Sequence, residues 1–160
     1  MSSAKASVPR VVSIMVSRAI TERPDLYAAA ICEVGVANSL RAEFSPNGPG
    51  NIAEFGTVKD SIECKALYEM DGVQHVQNNV NYPATLCIAG WNDPRVVPWQ
   101  PAKFAASLQN ASKSGKPVLL KVNYDSGHFT EDKYVNYKNI ADQNAFFLWQ
   151  TGHPLYQIRK

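Results

Sequence analysis

The sequence is poor in cysteine. Only three of its 160 residues are cysteine, and Cys32, Cys64 and Cys87 stand far apart. An odd number of cysteines at wide spacing argues against a disulfide framework or a structural zinc site. Because Cys32 and Cys87 lie inside apolar runs, we interpret them as thiols of the core.

The chain also lacks strong charge and long apolar segments. Its 16 basic and 14 acidic residues leave a formal charge of +2, too small to indicate a nucleic-acid partner. No apolar run approaches the roughly 18 residues of a membrane helix, so no membrane partner is expected. Residues 1–10 contain no apolar h-region of a signal peptide, which favours a cytoplasmic over a secreted protein without defining the compartment.

What is present is the alternation of an α/β protein. Three apolar runs predict buried strands: Tyr27–Val34, Pro83–Ala89 and Val118–Tyr124. Four segments favour helices: Ile14–Glu22, Val58–Met70, Pro101–Ser112 and Tyr137–Thr151. This order predicts a parallel sheet with helices on both faces. Because three parallel strands leave an exposed edge, we interpret the chain as the C-terminal part of a larger domain.

Two helices and one loop carry further expectations. Residues 38–55 are rich in Pro, Gly and Asn and indicate a long loop, which in a compact domain is usually functional. In the third helix we expect a sheet-facing side made of Ala102, Ala105, Ala106 and Leu108. In the fourth helix we expect the inward residues to be Ile140, Phe147 and Leu148.

The most informative segments follow the second and third strands. Asp93 comes just after one strand, and His128 just after the next. In open α/β sheets, functional groups stand beyond the carboxyl ends of the strands. An Asp followed by a His in this order matches the second half of the Ser, Asp, His sequence of α/β-hydrolases. Taken singly, Asp93 could form a turn and His128 could be an ordinary loop histidine.

Several segments together resemble the prolyl oligopeptidase family of serine peptidases. The resemblance covers residues 14–152. It rests on these segments: Arg23–Leu26, Val34–Val36, Asn92–Pro98 (NDPRVVP), Lys103–Phe104, Leu108–Gln109 and Gly127–His128.

The resemblance implies an α/β-hydrolase fold that hydrolyses short peptides by acyl transfer without a cofactor or metal. Asp93 and His128 match the triad Asp and His, and Arg95 matches an Arg that grips the carbonyl of the bound peptide. Arg95 could alternatively form a surface ion pair. The family also implies an N-terminal β-propeller and further strands, none of which is in this chain. Its prolyl endopeptidases carry a Trp where this chain has Asn51, although Phe55 could contribute a wall of the pocket.

The nucleophile motif of the family is missing. G-x-S-x-G should fall near Arg10, yet no glycine precedes Gly35, and neither Ser7 nor Ser13 has the small neighbours of a nucleophile elbow. We therefore divide the chain into an aberrant segment, 1–13, and the C-terminal part of a peptidase domain, 14–160. The expected function is a serine peptidase that is inactive alone; a non-catalytic fragment and an esterase-type hydrolase are the alternatives.

A shift of reading frame accounts for the missing motif. Residues 8–13 can be encoded GTT CCG CGG GTG GTG TCx. Preceded by A and read one register earlier, these bases encode Ser-Ser-Ala-Gly-Gly-Val, which has the pattern of the elbow. We predict that sequencing the source DNA will show a register encoding Ser-x-Gly-Gly at this place. DNA with no such register would rule out the frameshift.

Overall fold

A computed structural model describes residues 13–130 and 132–158. The predicted aberrant segment lies outside this part except at Ser13, where the first helix begins. The strands are β1 (Ala29–Glu33), β2 (Ala84–Gly90) and β3 (Val118–Asn123). The α-helices are α1 (Ser13–Glu22), α2 (Ile52–Phe55), α3 (Ser61–Met70), α4 (Trp99–Ala111) and α5 (Lys133–Gln150). Each predicted strand and helix is therefore confirmed.

The described strands form one parallel sheet in the order β1-β2-β3. Cys32 on β1 stands opposite Cys87 on β2, which in turn stands opposite Leu120 on β3. Parallel pairing brings the carboxyl ends of all three strands to one edge. The loops that carry Asp93 and His128 both leave the sheet at that edge.

Two apolar layers enclose the sheet. Helices α1 and α4 cover one face through a core whose members are Val16, Ile20, Ala30, Cys32, Ala37, Tyr82, Cys87, Phe104, Ala105, Leu108 and Ala111. Helix α5 covers the other face, where a second core consists of Ala29, Ile31, Ala84, Leu86, Ile88 and Phe146. Helices on both faces are what the strand–helix alternation predicted.

The expected inner face of α5 was only partly right. Its buried side chains are Asn139, Gln143 and Phe146. Of the predicted residues, Phe147 is half-buried and packs against the second core, whereas Ile140 and Leu148 are half-buried and are not among its members. Hydrogen bonds to polar side chains of the sheet accompany this rotation of the helix about its axis. Lys121 Nζ donates to Asn139 Oδ1 at 2.8 Å, and Gln143 Nε2 donates to Glu33 Oε1 at 2.9 Å.

Helix α4 also differs from its expected face. Ala105 and Leu108 are buried as predicted, but Ala102 is half-buried and Ala106 is exposed. The largest fully buried side chain of the helix is instead Phe104, a member of the core beneath it. A face chosen from small residues therefore missed this aromatic side chain.

Capping residues set two of the helix starts. The side chain of Asp60 accepts from the N–H groups of Ile62 and Glu63, so α3 begins later than predicted. Asp132 caps α5 in the same way and moves its start to Lys133, four residues before the predicted one. An Asp that satisfies the free N–H groups of the first turn is a preferred N-cap.

The predicted loop 38–55 is compact and coiled. It contains two 3₁₀ segments, Ser39–Phe44 and Gly48–Asn51, followed directly by the short helix α2. Its first residue, Asn38, is fully buried and joins three parts of the fold. Its N–H donates to Gln100 Oε1 at 2.8 Å, and its Nδ2 donates to Asp71 Oδ2 at 2.6 Å.

Asp71 is a buried carboxylate that is linked to Lys103 through the side-chain amide of Asn38. Lys103 Nζ donates to Asn38 Oδ1 at 2.6 Å, and the Asn38 amide in turn donates to Asp71. The carboxylate also accepts from two backbone N–H groups, those of Leu40 and Gln74. Buried polar groups are tolerated when they are hydrogen-bonded, and this network satisfies that condition.

Cys32 and Cys87 are buried thiols of the core, as predicted. A hydrogen bond with Cys32 and burial both raise the pKa of Cys87 well above its ordinary value, so that Cys87 stays a thiol at neutral pH.

In the part of the chain that the structure describes, no helix has the length and apolarity needed to cross a membrane.

We predict that Asp71→Ala will be strongly destabilising. The substitution leaves three donors without an acceptor, one of them the buried Asn38 amide, and should cost on the order of 3 kcal/mol in free energy of unfolding. Urea unfolding at constant m-value measures this cost. Asp142→Ala is the control: it removes an exposed carboxylate paired with Lys121, and should cost less than about 1 kcal/mol. Equal losses in both variants would contradict a structural role for the network.

Candidate active site

Asp93 is held rigidly at the carboxyl end of β2. Its side chain is fully buried. One carboxylate oxygen, Oδ1, accepts from the backbone N–H groups of Arg95 at 2.8 Å and Val96 at 2.9 Å. The carboxylate therefore forms the turn that follows it, as an Asp in this position can, and its second oxygen remains available.

His128 takes that second oxygen. Its Nδ1 lies 2.8 Å from Asp93 Oδ2, and one fifth of its side chain is exposed. Because an ionised carboxylate only accepts hydrogen bonds, Nδ1 carries the proton and Nε2 is the acceptor of the neutral ring. Nε2 makes no hydrogen bond to any residue that the structure describes. The structure thus brings together the two residues that the sequence analysis singled out, although they lie 35 positions apart.

The loops after β2 and β3 are joined by their backbones. The N–H of Trp91 donates to Asn123 O at 2.9 Å, and the N–H of Asn92 donates to Ser126 O at 3.1 Å. At Gly90 the two loops come so close that a Cβ would lie 2.0 Å from Gly127 O. Only glycine allows this approach at residue 90, and the approach sets the distance between the Asp93 and His128 loops.

An open cleft of about 400 Å³ adjoins the imidazole. Side chains from the carboxyl ends of the strands, from loop 38–55 and from α5 line it. They include Ile14, Glu33, Val34, Val36, Phe55, Asn123, His128, Phe129, Thr130, Asn136 and Asn139. Phe55 therefore faces the same space as His128, as expected, whereas Asn51 is not among the lining residues.

Arg95 donates its backbone N–H to Asp93, and its side chain lies near Phe129. Its guanidinium carbon stands 5.8 Å from the centroid of the Phe129 ring. In residues 13–130 and 132–158, no carboxylate lies within ion-pair distance of this guanidinium. The alternative that Arg95 serves a surface ion pair thus has no partner in the described structure.

The sequence analysis missed two features of the cleft. Phe129 was overlooked although it follows the Gly-His pair directly, and that adjacency was an available signal. Val34 adopts φ of +42°, a left-handed conformation that costs a β-branched residue roughly 1–3 kcal/mol. No signal in the sequence marks this strain, which lies where the Val34 N–H donates to Ile88 O of the neighbouring strand.

The two tryptophans flanking the Asp93 loop lie outside the cleft. Trp91 is 57% exposed and packs against Tyr124, with ring centroids 5.6 Å apart. Lys103 Nζ lies over the ring of Trp99 at 5.4 Å. Within the described residues, no three His, Cys, Asp or Glu side chains converge as a metal site would require.

The chain also matches a family of known proteins. A model of the prolyl oligopeptidase family matches residues 13–154, nearly all of the chain. The chain belongs to the prolyl oligopeptidase family. The resemblance read from the sequence is thereby confirmed, together with the α/β-hydrolase fold of the peptidase domain.

Family members from bacteria and fungi match over most of this chain. The prolyl endopeptidase of Elizabethkingia miricola is 34% identical over 142 residues, which are 87% of this chain and 20% of that protein. A dual-function macrocyclase-peptidase of Galerina marginata is 31% identical over 149 residues, covering 91% of this chain and 20% of its own. This chain thus spans about a fifth of the length of the curated relatives it matches.

Solved structures of family members superpose closely on the chain. A prolyl endopeptidase structure gives a TM-score of 0.80 at 31% identity and covers 87% of this chain and 20% of its own. Oligopeptidase B of Leishmania major gives 0.82 at 25% identity, covering 88% of this chain and 20% of its own.

We predict that Gly90→Ala will break the contact between Asp93 and His128. Its Cβ would meet backbone rather than a movable side chain, so the two loops must separate. The imidazole N–H hydrogen-bonded to Asp93 should give a far-downfield proton resonance in the NMR spectrum of the parent chain, and the variant should lose it. Gly50→Ala is the control, because its Cβ meets only Asn47 Oδ1 at 3.9 Å. A resonance that persists in Gly90→Ala would contradict the role of this glycine.

Proposed function

We propose that the chain carries the proton-transferring half of a serine peptidase that hydrolyses short peptides. The observation that supports this most strongly is the hydrogen bond between a fully buried Asp93 and His128, at the carboxyl ends of neighbouring parallel strands. The proposal assigns Asp93 and His128 as members of a catalytic triad. It assigns Arg95 to the binding of the substrate.

The geometry suits general base catalysis. Asp93 orients the ring through Nδ1, which leaves Nε2 directed away from the carboxylate. Nε2 would accept the proton of a serine hydroxyl as its oxygen bonds to the substrate carbonyl carbon, and would return that proton to the leaving amine. Asp93 stays ionised throughout and stabilises the imidazolium that forms between these steps.

Arg95 is suited to holding the peptide. Its backbone N–H donates to Asp93, while its guanidinium lies over the Phe129 ring and has no carboxylate partner among the described residues. A guanidinium donates charge-assisted hydrogen bonds, and a peptide carbonyl is a matching acceptor. Positioning by such a group lowers the entropic cost of reaction at the neighbouring imidazole.

In the family's pattern the nucleophile would stand ahead of α1, where this chain carries no elbow motif. Ile14, in the first turn of α1, lines the same cleft as His128. Solved structures of the Galerina marginata enzyme bound to substrate carry alanine at a serine, an aspartate or a histidine. The aspartate and histidine are only slightly farther apart in sequence than Asp93 and His128. The interval from that serine to that aspartate, counted back from Asp93, ends within residues 1–12.

A second candidate function is peptide binding without cleavage. It is favoured by one observation: no hydroxyl of the described residues contacts His128 Nε2. In this case Arg95 and the cleft would still bind a peptide, but no acyl intermediate would form. An ester substrate would fit less well, because an ester does not require the grip that Arg95 offers.

A fluorophosphonate serine-hydrolase probe tests whether any serine of this chain completes a triad with Asp93 and His128. We expect no labelling of the purified chain, because neither Ser7 nor Ser13 has the flanking residues of an elbow. Labelling that disappears in both Asp93→Ala and His128→Ala would mean that a serine of this chain completes the triad. Labelling that persists in His128→Ala would contradict the role assigned to the imidazole.

The Asp93–His128 pair can be tested without turnover. The far-downfield imidazole proton should be present in the parent chain and absent from Asp93→Ala, since only the carboxylate holds that proton. Asp142→Ala, which removes an exposed carboxylate, should leave the resonance in place. Absence of the resonance from the parent chain would remove the basis of the proposed function.

A further inference from the structure

Phe129 contacts His128 and Arg95, to which the proposed function assigns proton transfer and substrate binding. Its ring stands edge-on to the imidazole of His128, with centroids 4.7 Å apart and planes at 86°. The guanidinium of Arg95 lies over the same ring at 5.8 Å. Phe129 also lines the cleft. One aromatic ring therefore touches the imidazole, the guanidinium and the space where a substrate would lie.

The ring also keeps most of its surface accessible. Phe129 is 73% exposed, so the core does not account for its position. Single exposed apolar residues are common on protein surfaces and have no meaning by themselves. What distinguishes Phe129 is its place between His128, which lines the cleft, and the guanidinium of Arg95. A ligand that reached both groups would have to pass over this ring.

Contact with the ring restricts Arg95. A long arginine side chain samples many rotamers in solvent, and ordering it opposes binding. A cation over an aromatic face is attracted by the ring quadrupole. Because no carboxylate of the described residues competes for the guanidinium, Phe129 holds it near His128 before a ligand arrives.

We propose that Phe129 is a specificity-determining residue that selects apolar side chains over basic ones. This inference rests on the proposed function, because it requires a peptide held between Arg95 and His128. An apolar side chain that packs on the free surface of the ring would remove both from water. A lysine or arginine side chain at the same place would approach the guanidinium already on the ring, and like charges repel.

Two peptides that differ at one residue provide the test. Acetyl-Ala-Leu-Pro-amide and acetyl-Ala-Lys-Pro-amide are titrated into the isotope-labelled full chain, and dissociation constants are read from NMR shift changes. The leucine peptide should bind roughly tenfold more tightly, the scale of one apolar side chain in a pocket. In Phe129→Ala this ratio should fall close to one, and in Phe129→Tyr, which keeps the ring, it should persist.

The remaining variants separate failure of this inference from failure of the proposed function. Arg95→Met should weaken both peptides, because it removes a contact to the backbone that they share. An unchanged ratio in Phe129→Ala, with the Asp93–His128 resonance intact, would overturn the role of Phe129 and leave the proposed function standing. A ratio that depends on Phe129 while Arg95→Met changes neither affinity would support apolar packing on Phe129, but would refute both roles of Arg95, the contact to the peptide and the repulsion of a basic side chain. Binding of neither peptide would overturn both.

Discussion

The close approach of Gly90 to the carbonyl of Gly127 is the constraint on which the candidate site depends. Parallel pairing brings the ends of β2 and β3 to one edge, but it does not by itself bring their loops into contact. A glycine at the end of β2 removes the atom that would hold them apart. The backbone hydrogen bonds of Trp91 and Asn92 then hold the two loops side by side, and the buried Asp93 carboxylate meets the imidazole at hydrogen-bonding distance.

The second support of the site lies deeper in the fold. Asn38 begins the loop after β1, and Gln100 stands in the first turn of the helix that follows the Asp93 loop. Their hydrogen bond, reinforced by Asp71 and Lys103, links the loop carrying Phe55 to the helix that ends the Asp93 loop. The wall of the cleft at Phe55 and the loop that carries Asp93 are thereby tied to one buried polar network.

Much of this architecture could be predicted from the sequence, and the misses have physical causes. Strands and helices follow from apolar runs and periodicity, which depend on near neighbours in the chain. The register of α5 depends on Lys121 and Glu33, which are distant in sequence, so its inner face could not be found from the helix alone. Asp93 and His128 were recognised because strand ends and residue types are local signals. The positive φ of Val34 and the contact of Phe129 with Arg95 have no such local signal, because they appear only in the folded chain.

The pairing of Cys32 with Cys87 has a consequence for how opening of the sheet can be observed. Both thiols lie under α1 and α4 on adjacent strands, and burial keeps the Cys87 thiol protonated and unreactive. Cys64, on α3, is half-buried. The chain therefore contains its own reporter: one cysteine is accessible to an alkylating reagent from the folded state, and two become accessible only when the centre of the sheet opens.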